Sequence, residues 1–142
     1  MTAIQNKDID VAYYRKLKQG FDIKSNKGEL VKNETVTLPP PKPKSYAFCS
    51  DTAYDEAKIS IIKEVDALYH ESTFLEQHID LCAPTKHSSA KQAATIAKKA
   101  NVGKLILGHY STRYDDLSLF KKEAETIFDK VELADDGKEF EF

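Results

Sequence analysis

Cysteine, long apolar runs, internal repeats and an excess of one charge are all scarce or missing in this 142-residue chain. Each shortage excludes something. The two cysteines, Cys49 and Cys82, stand far apart with no CxxC spacing. That argues against a disulfide framework or a thiolate metal site and for reduced, semi-buried thiols. No stretch is long and apolar enough for a membrane span, and none reads as a signal peptide. The expected compartment is therefore the cytoplasm, with no membrane partner. Biased composition is confined to the run Pro-Pro-Pro-Lys-Pro at residues 39–43. The formal net charge of −2 argues neither for nor against nucleic acid. Its distribution is uneven: residues 1–50 carry nine basic and five acidic side chains, residues 51–142 twelve and eighteen. A basic front half suits phosphates, and it equally suits a solvated lysine-rich surface.

What remains is a globular composition, 41% apolar and 31% charged, of a length that suits one domain with its own core. Residues 1–44 read as a hairpin and connector region. A short helix over residues 10–19 ends at Gly20, a hairpin follows around Ser25-Asn26-Lys27-Gly28, and residues 35–38 continue as extended chain. The prolines then forbid regular structure. Residues 45–142 read as a βαβαβα core. Strands are predicted at 45–49, 67–69 and 104–108. Helices are predicted at about 55–64, from Ser88-Ser89 to a stop at Gly103, and at 117–128. Ser89 and Gln92 have capping-box spacing, and Ala90, Ala93, Ala94 and Ala97 form a small-residue stripe suited to close packing. Residues 74–86 read as a polar loop, and residues 131–142 as a closing hairpin.

Each of the three apolar strands ends in polar residues: Asp51, His70-Glu71 and His109. His87 lies just before a helix N-terminus. If the strands are parallel neighbours, these side chains share one edge of the sheet, where open α/β sheets bind ligands. One Asp, one Glu and three His there would suit a metal or an acid–base site. Each residue also has a plain alternative. Asp51 suits a turn, His70 a structural histidine, Glu71 an exposed carboxylate, and His87 a residue that merely precedes a helix. No pair has the local spacing of a zinc finger or of His-Glu-x-x-His.

Four short motifs, taken together and in order, resemble ribonuclease Z. They are Ser50-Asp51-Thr52, His70-Glu71-Ser72-Thr73, His87-Ser88-Ser89 and Leu107-Gly108-His109-Tyr110-Ser111-Thr112-Arg113-Tyr114. That family is the zinc-dependent endoribonuclease of the metallo-β-lactamase superfamily that removes 3′ trailers from precursor tRNA. The resemblance covers roughly residues 12–142 and matches the family's C-terminal half. It implies an α/β fold (α+β layered), the C-terminal half of an αββα sandwich.

The resemblance also implies roles. Asp51 would bridge two zinc ions, and His109 would be a ligand of the second. His87 would be the proton donor, with Glu71 orienting it. Arg113 and Ser88 would meet substrate phosphate, while His70 and Thr52 would be structural, behind the ligands. Ser50, Ser72 and Ser89 are small-for-small departures from the family pattern. The large departure is that the family's main metal motif, His-x-His-x-Asp-His, is nowhere in the chain. With two metal ligands, the chain alone is expected to hold zinc weakly or not at all and to be inactive. Half a sandwich would expose an apolar sheet face, to be covered in a homodimer or by the missing N-terminal half. Two other readings stay open: another phosphodiesterase of the same superfamily, or a truncated, non-catalytic paralogue acting as a binding or dimerisation partner.

Overall fold

In the computed structural model, residues 2–3 and 8–142 are described. The chain divides into two compact units, Met1–Pro43 and Lys44–Phe142. Each unit has its own buried core.

In the first unit, a 3-10 turn at Val11–Tyr13 leads into helix α1 (Tyr14–Lys18). Asp10 caps the turn by accepting from the Ala12 N–H. Gly20, at φ +92°, stops the helix as the sequence predicts. Strand β1 is Thr2–Ala3; β2 (Ile23–Lys24) and β3 (Leu30–Val31) form the predicted antiparallel hairpin. Residues 35–38 are not simply extended. Helix α2 (Asn33–Val36) precedes strand β4 (Thr37–Leu38), which pairs with β1. The cause is the buried Asn33 side chain, whose amide donates to the Leu17 carbonyl and whose oxygen accepts from the Thr37 hydroxyl. Ile9, Leu17, Ile23 and Val36 form the core here.

The second unit is a four-stranded, all-parallel sheet in the order β5-β6-β7-β8. The strands are β5 (Tyr46–Cys49), β6 (Ala67–Glu71), β7 (Leu105–Gly108) and β8 (Val131–Leu133). Alternation along the strands gives the sheet two apolar faces. Leu68, Leu105, Leu107 and Val131 turn to helices α4 (Ala90–Ala100) and α5 (Ser118–Glu125). The α4 alanines 90, 93, 94 and 97 are fully buried, which lets the helix approach the sheet closely. The capping box of Ser89 and Gln92 is present. Phe120 and Ala124 are the fully buried residues of α5.

The other face carries Tyr46, Phe48, Tyr69 and Ile106. Phe48 stacks on Tyr69 with ring centroids 4.6 Å apart. Gly108 belongs to this arrangement, because a Cβ there would run into the Tyr69 phenol. Tyr46 is 50% and Phe48 63% exposed, so this face is open in the chain as it stands.

Several expected elements differ. The helix at 55–64 is a five-residue 3-10 segment, Glu56–Ser60, capped by Asp55. Strand β6 runs two residues further than 67–69 and takes in His70 and Glu71. The loop 74–86 contains a 3-10 turn (Glu76–His78) and helix α3 (Ile79–Thr85). Pro84 hides α3 from a sequence reading, yet it sits in the last turn, and left-handed Lys86 follows. Helix α4 ends at left-handed Asn101; Gly103 instead allows close approach, since its Cβ would stand 2.5 Å from the Asp66 carbonyl oxygen. Residues 131–142 form no hairpin. Strand β8 pairs in parallel with β7, and the tail turns at Gly137 so that Phe142 stacks on Tyr46 at 5.9 Å. Phe140 and Phe142 line a hollow of about 460 Å³ with Tyr46, Phe48, Tyr69 and Ile106. Cys49 and Cys82 are free thiols, as expected.

Candidate active site

The parallel order places the carboxyl ends of β5, β6 and β7 side by side, and the expected residues meet at that edge. At its centre is Glu71. It is fully buried and accepts five hydrogen bonds. Oε1 takes the Thr52 N–H and His87 Nδ1–H, each at 2.8 Å. Oε2 takes the Thr73 hydroxyl at 2.7 Å, the Ser88 N–H at 3.1 Å and the Thr73 N–H at 3.2 Å. Burial pushes the Glu71 carboxyl up, but these donors outweigh it and hold the group below its ordinary range. Glu71 is therefore a carboxylate, not the exposed residue of the plain reading.

The loops converge because backbone bonds lace them together. Phe74 N–H donates to the Ser88 carbonyl at 3.3 Å, and Ala90 N–H to the Phe74 carbonyl at 2.9 Å. Ser72 N–H reaches the Gly108 carbonyl at 2.8 Å, and Ser111 N–H the Thr73 carbonyl at 3.1 Å. The segments after β6, before α4 and after β7 thus form one surface.

Three donor groups gather on that surface. Asp51, His87 and His109 each offer an atom within 4.8 Å of the others. His109 Nε2 is 3.2 Å from Asp51 Oδ1, and the His87 and His109 rings lie 5.1 Å apart. The sequence reading offers two ligands; the structure adds the outer nitrogen of His87 to the cluster. Asp51 is 72% exposed at its side chain, His109 39% and His87 23%, so the cluster opens to solvent. Both Asp51 (φ 48°) and His109 (φ 59°) adopt the left-handed region, which costs non-glycine residues conformational energy and clusters at functional sites. Two nitrogens and a carboxylate oxygen are a donor set suited to a divalent metal such as zinc. His109 Nδ1 lies 2.9 Å from the Thr73 hydroxyl, so Nε2 is the nitrogen that faces Asp51 and that a metal ion would share with its carboxylate.

The remaining residues have definite places. His70 is buried, donates from Nδ1 to the Glu71 carbonyl at 2.7 Å, and is pushed down by burial, against the opposing effect of that bond. Its ring is thus engaged inside the fold, away from the exposed cluster. Thr52 is engaged at three points: its N–H serves Glu71, its carbonyl accepts from the Ser88 hydroxyl at 2.6 Å, and its hydroxyl takes the Lys58 ammonium. Ser88, expected at substrate phosphate, is fully buried with both donors spent on Glu71 and Thr52. The structure makes it a brace instead. Arg113 is exposed; its guanidinium lies 5.3 Å from the Phe74 ring centroid, and its Nε donates to the Ser111 hydroxyl. Phe74 also meets the His87 ring edge-on at 6.3 Å, so it stands between the two. Sequence reasoning missed Thr73, which bonds both Glu71 and His109. Its sequence signal is its place in the His70-Glu71-Ser72-Thr73 motif, where the resemblance assigns it no role.

No family model matches the chain. Among curated proteins, it is similar to ribonuclease Z of Parabacteroides distasonis, with 45% identity over 129 residues, 91% of this chain and 42% of that one. Ribonuclease Z of Cytophaga hutchinsonii is 45% identical over 136 residues, 94% of this chain and 43% of that one. The chain thus spans about two-fifths of the length of the curated relatives it matches. Among solved structures, the metallo-β-lactamase-fold protein YhfI of Bacillus subtilis has a TM-score of 0.60 and 27% identity, covering 64% of this chain and 37% of that one. A long-form RNase Z from yeast has a TM-score of 0.53 and 28% identity, covering 61% and 12%.

Proposed function

We propose that this chain, matched to ribonuclease Z along nine-tenths of its own length, supplies part of the active edge of a metal-dependent endoribonuclease that trims 3′ trailers from precursor tRNA. The observation that carries the reading is the buried Glu71 carboxylate, 2.8 Å from His87 Nδ1 at the carboxyl end of a parallel sheet. A carboxylate there accepts the Nδ1 hydrogen and fixes Nε2 as the nitrogen that faces out. His87 is thereby set to give a proton from Nε2 to the departing 3′ oxygen. Asp51 and His109 would hold zinc, which would supply an activated water and neutralise charge on the scissile phosphate. Arg113, exposed beside Phe74, is free to pair with a substrate phosphate. Zinc, the tRNA substrate and a cytoplasmic setting belong to this reading; among the described residues no helix is long and apolar enough to cross a membrane.

The open aromatic face supports a covering partner, either a second copy of the chain or a further sheet of the same protein. Light scattering on the full chain should find a dimer, and a monodisperse monomer would refute homodimerisation. The catalytic reading is tested in a chimaera in which this chain replaces the matching stretch of the Parabacteroides distasonis ribonuclease Z. The folded chimaera should cleave a precursor tRNA at its 3′ side. His87→Ala should lower kcat by about 10²–10⁴-fold, the usual range for a lost general acid. A folded chimaera without cleavage, or one indifferent to His87→Ala, would overturn the reading.

A further inference from the structure

The influence of Glu71 extends beyond His87. Thr73 Oγ1 lies 2.7 Å from Glu71 Oε2 and 2.9 Å from His109 Nδ1. A hydroxyl has one proton to give, and an ionised carboxylate can only accept. The Thr73 proton therefore goes to Glu71, which leaves a hydroxyl lone pair facing the imidazole. His109 Nδ1 must then carry the hydrogen of that second bond. Thr73 has little freedom to do otherwise. Its N–H also donates to Glu71 Oε2, at 3.2 Å, and its carbonyl accepts from the Ser111 N–H at 3.1 Å.

We infer that Thr73 is a positioning residue that relays Glu71 to His109, holding a hydrogen on Nδ1 and so making Nε2 the nitrogen presented beside Asp51. One buried carboxylate then sets both histidines. It holds His87 directly and His109 through a hydroxyl, and both rings turn Nδ1 inward and Nε2 outward. Partners behind a metal ligand act in this way to fix its tautomer and ring orientation. The inference rests on the reading above for its purpose, because it is there that Nε2 is offered to a metal ion. Its geometry does not depend on that reading.

The test is nuclear magnetic resonance on the full chain with ¹⁵N-labelled histidine, free of metal and substrate, at a pH where the imidazoles are neutral. Nitrogen shifts distinguish the two tautomers. Wild type should show Nδ1–H at both His87 and His109. Thr73→Val should move His109 toward Nε2–H while His87 stays unchanged, and Thr73→Ser should restore the wild-type pattern. A merely structural threonine would not give that selective shift and rescue. A His109 Nδ1 that carries no hydrogen in the wild type overturns the inference whether or not Thr73→Val folds, as does an unchanged Nδ1 in a folded Thr73→Val chain. In the chimaera, Thr73→Val should weaken zinc binding by about 10–100-fold. Loss of cleavage with the tautomers intact would sink the nuclease reading alone, and a wrong tautomer in an active chimaera would sink this inference alone.

Discussion

Replacing Glu71 by glutamine removes one charge and almost no volume, so its cost comes from hydrogen bonding. Five donors converge on the carboxylate, two on Oε1 and three on Oε2. A glutamine keeps a single acceptor oxygen and brings an NH₂ group that can only donate. Turned toward the Oε2 side, that NH₂ would confront the backbone N–H groups of Thr73 and Ser88. Turned toward the Oε1 side, it meets the Thr52 N–H, which cannot reverse, and His87, which can switch tautomer and accept. The second arrangement is the cheaper. It strands one buried backbone donor, at about 1–3 kcal/mol, and converts charge-assisted bonds to weaker neutral ones. The total is roughly 2–4 kcal/mol, measurable by urea unfolding of the full chain. The effect should depend on pH. Because the folded Glu71 carboxyl lies below its ordinary value of 4.5, wild type has the full benefit of the charge above that value and loses it as pH falls through the lower folded value. The gap between wild type and Glu71→Gln should be widest near neutrality and close in acid. A variant as stable as wild type at pH 7, or a gap indifferent to pH, would refute the assignment of Glu71 as a buried carboxylate. In the chimaera the same substitution should lower turnover more than substrate affinity, since it disturbs the orientation of His87; the reverse pattern would contradict the orienting role.

Other outcomes follow from single positions. Gly103→Ala would place a methyl 2.5 Å from the Asp66 carbonyl oxygen, a backbone atom that cannot swing aside; a loss of about 1–3 kcal/mol is expected in urea unfolding. Phe120→Ala empties a fully buried site between α5 and the rest of the core and should cost about 3–5 kcal/mol by the same measurement. Burial first, with nearby carboxylates adding to it, pushes the Cys82 thiol up to about 11. At pH 8 only about one molecule in a thousand is then a thiolate, so Cys82 should resist alkylation in the folded chain and react on unfolding. The isolated chain is expected to hold zinc weakly and to leave a tRNA precursor intact. Metal analysis after gel filtration and a cleavage assay check both, and stoichiometric retained zinc, or cleavage, would overturn the expectation.

The parts of the fold legible in the sequence are those set by local signals. The apolar run before Gly108 reads as a buried strand and is one, and Ser89 with Gln92 marks the start of α4. The hairpin around Ser25 and Gly28 followed from its turn residues. Where tertiary context decides, the reading failed. Pro84 spoke against a helix at 79–85, but a proline in a last turn removes one bond and leaves the rest. The alternation Phe140-Glu141-Phe142 suggested a strand. Those aromatic rings line the exposed side of the sheet instead, beside Tyr46, Phe48 and Ile106.

The site divides along the same line, and the division explains its design. Asp51, His70-Glu71 and His109 were visible as polar ends of apolar strands, and their convergence needed only the parallel order that the sheet has. What the sequence could not carry was the direction of each hydrogen bond. His87-Ser88-Ser89 before a helix suggests free N–H groups for a substrate anion. In the structure that anion is internal: the Ser88 N–H is given to Glu71. Once Glu71 takes this role, Ser88 and Thr52 are bound to bracing it and Thr73 to linking it with His109. Of the residues singled out at this edge, the outer nitrogens of two histidines, Asp51 and the Arg113 guanidinium face outward. The exposed surface is thus the remainder after one buried carboxylate has been satisfied, and the chemistry of the edge is set by a residue that no ligand could touch.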